Sequence, residues 1–126
     1  MFDLMIVREV LMKSLVDDSY AELLPDNPAK GQDSIISQLV HDIFGGEILK
    51  TRKKRGWHFY NRVEGLRIDF TNLEIDKTKK IKRFEDIPCP PGETKNYFAM
   101  EDYSSFFIRF VKAFEVTLGL KKYHMA

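Results

Sequence analysis

The 126-residue sequence is poor in cysteine and has no long hydrophobic run. Its single cysteine, Cys89, cannot form an internal disulfide or a cysteine-cluster zinc site, which favours a reducing, cytoplasmic compartment. No apolar stretch approaches the roughly 20 residues that a bilayer-spanning helix needs. Charged residues at Asp3, Arg8 and Glu9 also interrupt the apolar pattern of the first segment. The sequence therefore predicts neither a membrane segment nor a signal peptide.

Net charge is also small, at +1, but its distribution is uneven. From Lys50 to Arg83 the chain carries twelve Lys or Arg against four Asp or Glu, a local charge of +8 that leaves −7 for the remainder. Hydrophobic residues make up 44% of the chain and charged residues 31%, as in globular proteins rather than disordered ones. The length predicts one domain, residues 1–126, that buries a core without disulfides.

Apolar residues recur at spacings of three and four in three segments, which predicts three helices. These segments span residues 2–16, 33–44 and 101–119. In the second helix Asp33 is the natural N-cap, and Gly45 or Gly46 ends the helix. The final helix is strongly amphipathic and is predicted to end at Gly119. Its aromatic residues can pack internally or form a dimer face, and both interpretations fit Phe106, Phe107, Phe110 and Phe114.

Three strand candidates follow the second helix, beginning at Glu47, Gly56 and Leu66. The last two are separated by the two-residue turn Glu64–Gly65, which predicts a meander of antiparallel strands. Residues 71–98 mix a basic run with a proline-rich loop, and only a short strand near Ile81–Phe84 is predicted there. The order of elements indicates an α+β fold, with N-terminal helices packed on a small antiparallel sheet and a C-terminal amphipathic helix.

The two-residue turn makes Val63 pair with Leu66, and this register assigns every side chain of the hairpin to a face. One face carries Trp57, Phe59, Asn61, Val63, Leu66, Ile68 and Phe70, and the other carries His58, Tyr60, Arg62, Arg67, Asp69 and Thr71. Asp69 is then a diagonal neighbour of His58, about 7 to 8 Å away by backbone. A carboxylate on one ring nitrogen would leave the other as a base. The alternative, two polar residues on a solvated face, stays open.

Three stretches of the chain together resemble the YunG-like family of small bacterial proteins. They are GQD at residues 31–33, FGGEI at residues 44–48 and HFYNRVEGLRIDFT at residues 58–71. The family pattern runs approximately GQC, a helix, GGEI, HYWNRL, a polar turn with glycine, and DLT. The resemblance covers roughly residues 25–71.

The resemblance implies a papain-like or NlpC-like thiol-hydrolase scaffold, with a cysteine at a helix N-terminus, a histidine on a following strand and an aspartate on the next. His58 and Asp69 match the family's histidine and aspartate, but Asp33 stands where the family has its cysteine. A carboxylate attacks an acyl carbon far less readily than a thiolate does. It can instead cap the helix and pair with a protonated His58.

The resemblance therefore implies a catalytically inactive relative, not an enzyme, that binds a small molecule or peptide in a residual groove. The residues expected to line this groove are Gln32, Ser34, Trp57, Tyr60 and Asn61. No cofactor and no bound metal are expected in this interpretation.

The papain-like arrangement also raises a conflict over the sheet. It requires the face that bears His58 to lie toward the helix that bears Asp33, whereas the predicted register makes that face the polar one. Either both faces of the sheet are covered, or the hairpin turn is longer than two residues.

Two other functions stay open. Asp33, His58 and Asp69 could serve a metal-dependent or acid–base hydrolase, because one histidine and two carboxylates suit Mn, Fe or Zn. A basic patch near aromatic residues could instead bind phosphate or nucleic acid, although charge runs in hairpin loops are usually only solvated. This patch comprises Lys50, Arg52, Lys53, Lys54, Arg55, Lys79, Lys80 and Lys82.

Overall fold

The computed structural model describes residues 2–16, 32–71 and 84–125, with side chains described except at residue 16 and after residue 119. The helices are α1 (Leu4–Val16), α2 (Asp33–Phe44) and α3 (Met100–Met125), and a 3-10 helix (Glu93–Tyr97) precedes α3. The strands are β1 (Glu47–Arg52), β2 (Trp57–Val63), β3 (Leu66–Ile68) and β4 (Ile87–Pro88). Over these ranges the fold is α+β, as predicted. None of the described helices combines the length and the apolar composition that crossing a membrane requires.

The strands form an antiparallel sheet in the order β3-β2-β1-β4. The predicted hairpin register is confirmed, since Val63 pairs with Leu66. Both residues of the connecting turn have positive φ angles, 51° at Glu64 and 80° at Gly65. Positive φ at both positions is what a two-residue type I′ turn requires, so the turn has the predicted length.

Both faces of the sheet are covered at β2, and the hairpin turn has two residues, but α2 packs on the face opposite His58 and not on the face that bears it, as the papain-like arrangement would require. Helix α2 packs on the face that bears Asn61, whose side-chain amide donates a hydrogen bond to the Ser37 carbonyl at 3.0 Å. The opposite face bears His58 and Tyr60, and the segment Phe84–Asp86 crosses it before β4. The Tyr60 ring packs edge-on against Phe84 with centroids 4.8 Å apart. His58 is only 7% exposed, so the solvated-face alternative is wrong at this position.

The apolar core lies between the helices and the β2–β3 hairpin. Helix α1 packs along α3, and both helices contribute fully buried side chains to one cluster with α2. Central members of this cluster are Val10, Leu11, Leu39, Val40, Val63, Ile68, Phe106 and Phe110. Each such side chain stabilises the fold by about 1.5–3 kcal/mol on burial. The aromatic residues of α3 therefore pack internally, with Phe107 and Phe114 partly buried against the same cluster.

The helix ends predicted at Asp33 and Gly119 differ from the structure. Asp33 is the first residue of α2 and not its N-cap; Gln32 holds that position without a side-chain hydrogen bond. Helix α3 continues through Gly119 to Met125, because one glycine costs a helix only about 1 kcal/mol. The strand expected near Ile81–Phe84 lies outside the described residues except for Phe84, which is not in a strand. Strand β4 follows three residues later and was not predicted.

Candidate functional site

The centre of the candidate site is His58 on β2, which lies between two carboxylates. Its Nε2 lies 2.6 Å from Oδ2 of Asp69, the residue that follows β3. Its Nδ1 lies 3.5 Å from Oδ2 of Asp33, the first residue of α2. The structure thus brings together the three residues that the sequence singled out, and all three side chains are largely buried.

Asp33 is oriented by the backbone of β2. The Phe59 N–H donates to Asp33 Oδ2 at 2.8 Å. Strand β3 ends at Ile68, which pairs with Asn61, so within the described residues no strand neighbours this edge of β2 at Phe59. The carboxylate takes the place of a strand partner there instead of capping its own helix.

Asp69 is held by its own turn. Its Oδ1 accepts hydrogen bonds from the Thr71 backbone N–H at 3.1 Å and from the Thr71 hydroxyl at 2.9 Å, an Asx-type turn. This leaves Oδ2 directed at His58. Thr71 is therefore a positioning residue that the sequence interpretation missed. The spacing Asp-x-Thr in IDFT was the signal that could have identified it.

The protonation of His58 follows from these contacts. Burial lowers the pKa of His58, but hydrogen bonding to Asp33 and Asp69 and their negative charges outweigh it and raise the pKa to about 9. Burial raises the pKa of Asp33, yet His58, the Phe59 amide and the charge of Lys53 together hold it below its ordinary value. At neutral pH His58 is thus an imidazolium, with an N–H facing each carboxylate. It offers no basic nitrogen.

The residues expected to line a groove fall into two groups. Ser34, Tyr60 and Asn61 are buried, and their side chains are unavailable to a ligand in this conformation. The Tyr60 hydroxyl donates to Asp86 at 2.8 Å, and Asn61 is bonded to α2. Gln32 and Trp57 are partly exposed.

In the described part of the basic patch, Lys50 is not a free surface cation. Lys50 is mostly buried, forms an ion pair with Glu93 at 2.8 Å and lies 4.2 Å from the centre of the Trp57 ring. Arg52 also lies over Trp57, at 5.4 Å. The exposed cations that remain there are Arg52, Lys53, Lys54 and Arg55, at the β1–β2 connection. Lys79, Lys80 and Lys82 lie outside the described residues.

Metal binding at the candidate site conflicts with its geometry. Within residues 2–16, 32–71 and 84–125, no three or more His, Cys, Asp or Glu side chains are arranged to hold a metal ion. At His58 the reason is direct, because a ligating imidazole must offer an unprotonated nitrogen. Asp33 and Asp69 instead bind the two edges of the protonated ring.

Cys89 lies away from His58 and is not an activated thiol. Its backbone N–H donates to the Ile48 carbonyl, near the start of β1, whereas His58 pairs with Thr51 near the end of that strand. Burial and the charge of Glu93 raise the pKa of the Cys89 thiol, which is the opposite of thiol activation.

Two sequence comparisons show what the chain is similar to. A sequence model of the family described as YunG protein matches residues 3–111. A Bacillus subtilis (strain 168) protein described as "Uncharacterized protein YunG" is 36% identical over 69 residues, which cover 55% of this chain and 60% of that protein. The match thus spans less than two thirds of that relative. No solved structure matches the chain.

Proposed function

This chain belongs to the YunG family, and we propose that it is a catalytically inactive relative of thiol hydrolases that acts by binding. The observation that carries the proposal is that both ring nitrogens of His58 face carboxylates, at 2.6 and 3.5 Å. A general base needs an unprotonated nitrogen near neutral pH, and the raised pKa of His58 removes it. The site also lacks a nucleophile, because the carboxylate of Asp33 reacts poorly with an acyl carbon.

The order of the three residues supports a papain-like origin for the site. A thiol on a helix, a histidine on a strand and a carboxylate beyond it form the usual series of nucleophile, base and orienting group. The N-terminus of a helix lowers the pKa of a thiol placed there, and Asp33 occupies such a position in α2. In the proposed ancestral site, a cysteine at position 33 was activated by His58, which Asp69 oriented.

In the present chain the same three residues serve the fold. The imidazolium of His58 connects α2, through Asp33, to the segment after β3, through Asp69. An ion network of this kind is stabilised by keeping its proton, whereas a catalytic base must release and accept one at each turnover. Binding by other surfaces of the chain is then the activity that remains.

The two alternative functions have less support. A metal-dependent or acid–base hydrolase would need a free nitrogen on His58, which the flanking carboxylates oppose. A nucleic-acid-binding module would rest on the single exposed loop Lys53–Arg55 within the described residues, without a free aromatic platform at Trp57.

The test restores the thiol. Asp33→Cys is made in a Cys89→Ser background, and the rate of alkylation by iodoacetamide is measured against pH. We expect a thiol pKa below the ordinary value of about 8.5, and a return toward that value when His58→Ala is added. Lys54→Cys in the same background is the matched control, because this exposed loop position should titrate like a free thiol.

Two outcomes contradict the proposal. If the Asp33→Cys thiol titrates like the Lys54→Cys thiol, the site is not a converted thiol site. If the unmodified chain hydrolyses thioester or amide probes, and Asp33→Asn abolishes that turnover, the chain is an enzyme.

A further inference from the structure

A cleft with a volume of about 380 Å³ lies between α2 and the loop that follows β4, apart from the candidate site. This volume falls within the range of small-molecule sites, about 300–1,000 Å³. The cleft lies near the start of β1, away from His58. Its polar lining comes from Gln38, His41 and Asp42 of α2, from Glu47 of β1 and from Lys95 of the 3-10 helix, and Ile48 and Cys89 lie at the sheet edge.

A chain of hydrogen bonds holds the polar floor of this cleft. The Thr94 hydroxyl donates to Gln38 Oε1, Gln38 Nε2 donates to Asp42 Oδ1 at 2.9 Å, and the Tyr103 hydroxyl donates to Asp42 Oδ2. Gln38 is only 6% exposed, and its second Nε2–H has no partner among the described residues. A buried donor without a partner is costly, so a ligand acceptor in the cleft would satisfy it. The floor is therefore preorganised for a polar ligand.

Two further groups at the rim are open to a ligand. His41 Nδ1 lies 3.0 Å from the Gly46 carbonyl oxygen, which can only accept. In the neutral imidazole Nδ1 is therefore the protonated nitrogen, and Nε2 is left as an acceptor. Lys95 is exposed, and its ammonium has no ion-pair partner among the side chains that the structure describes. Donors from Gln38 and Lys95 thus accompany acceptors from His41 and Asp42. The Glu47 carboxylate, which is ion-paired with Arg62 at 3.6 Å, adds a further acceptor to the lining.

The remaining wall is apolar and stiff. Pro88, Pro90 and Pro91 line it together with Ile48. Proline fixes its own φ angle, so this surface keeps its shape without losing conformational entropy when a ligand binds. It offers contact area for apolar side chains of a ligand. Its prolines have no backbone N–H that such side chains would leave without a hydrogen-bond partner.

From this juxtaposition we propose that the cleft binds a zwitterionic dipeptide with apolar side chains. Its carboxylate contacts Lys95 and the free amide hydrogen of Gln38, and its ammonium contacts Asp42 and His41 Nε2. Its side chains lie on the proline wall. The inference rests on the proposed binding role, to which it adds a ligand class, and it requires no chemistry at His58.

The sole cysteine of the chain provides a built-in reporter, because Cys89 lines the cleft and is partly exposed. The probe is leucyl-leucine, and the measurement is the rate of Cys89 alkylation by iodoacetamide. At a dipeptide concentration ten times its Kd, the rate should fall about tenfold, in proportion to the free fraction. The N-acetylated, C-amidated form of leucyl-leucine lacks both charges and should give no protection at the same concentration.

Two lysine substitutions, one in the cleft and one outside it, test the contact of the dipeptide carboxylate with Lys95. Lys95→Ala should weaken leucyl-leucine binding by about fivefold in calorimetry, the value of one exposed ion pair of about 1 kcal/mol. Lys112→Ala removes an exposed lysine of α3 that does not line the cleft, and it should leave the affinity unchanged.

Three outcomes overturn the inference: no protection of Cys89 by millimolar leucyl-leucine, equal protection by the uncharged form, or equal loss of affinity in both lysine variants. Each leaves the result at Asp33 intact. Conversely, turnover of a thioester probe by the unmodified chain overturns the proposed inactivity. It does not affect the test of the cleft, because the alkylation assay at Cys89 decides dipeptide binding separately.

Discussion

His58 and His41 show how differently one chain can use the same side chain. His58 is buried on β2 between Asp33 and Asp69, and both of its nitrogens face carboxylates. His41 is exposed near the end of α2, where one nitrogen faces the Gly46 carbonyl and the other is open. Two negative charges bind the proton of His58, whereas the contact of His41 Nδ1 is with a neutral carbonyl oxygen. The first histidine therefore serves the fold, and the second is available to a ligand.

The strongest test of this difference is removal of each ring. His58→Ala leaves two buried carboxylates without their cation and should lower the free energy of unfolding by about 3–5 kcal/mol. His41→Ala should change it by no more than about 0.5 kcal/mol, because the residue is exposed. Urea denaturation at pH 7 measures both, and equal losses would break the distinction.

The pH dependence of stability tests the charge on His58. Its pKa of about 9 in the folded protein exceeds the unfolded value of about 6.5, so protonation favours the fold. This stabilisation is fully present below pH 6.5 and is lost as the pH rises through 9, by about 3 kcal/mol in total. Burial and Asp86 raise the pKa of Tyr60 to about 12, so its titration lies outside this range. Urea denaturation from pH 6 to 9.5 should show the loss, and His58→Gln should flatten the curve.

Alanine substitutions at Gly45 and Gly46 test the backbone segment whose Gly46 carbonyl oxygen contacts His41 Nδ1. A Cβ at Gly46 would lie 2.2 Å from the Arg62 carbonyl oxygen, whereas one at Gly45 meets nothing within 4 Å. Both residues have positive φ, so alanine at either position carries backbone strain. Gly46→Ala should therefore be less stable than Gly45→Ala by about 1–3 kcal/mol, the usual cost of overpacking. If thermal unfolding gives equal values, the close approach of Gly46 to β2 is not maintained in solution.

The smallest expected change in the free energy of unfolding concerns the polar floor of the cleft between α2 and the loop after β4. Tyr103→Phe removes the hydrogen bond to Asp42 and should lower the free energy of unfolding by about 1 kcal/mol. Tyr97→Phe is the control, since the Tyr97 hydroxyl has no hydrogen-bond partner among the described residues and the residue is exposed. Denaturant titrations of the two variants should separate them, and a neutral Tyr103→Phe would show that the hydrogen-bond chain does not hold the floor.

The sequence predicted the parts of the fold that depend on neighbouring residues. Repeated apolar pairs placed α2 within a residue of its observed ends. The turn Glu64–Gly65 determined the hairpin register, because positive φ at both positions gives a two-residue type I′ loop whose twist matches that of the strands. That register in turn made Asp69 the diagonal neighbour of His58, so this pair could be anticipated without a structure.

What the local sequence determined is therefore the register that aligns His58 with Asp69, whereas packing between distant segments decided what surrounds the pair. Asp33 turns to the Phe59 amide because β3 is short, and Phe84–Asp86 buries the histidine face although nothing in the hairpin requires a cover. The cleft likewise forms from α2, β1 and a loop far along the chain. Turn angles and strand alternation act over a few residues, but burial and electrostatic environment arise from contacts between segments that only the folded chain brings together.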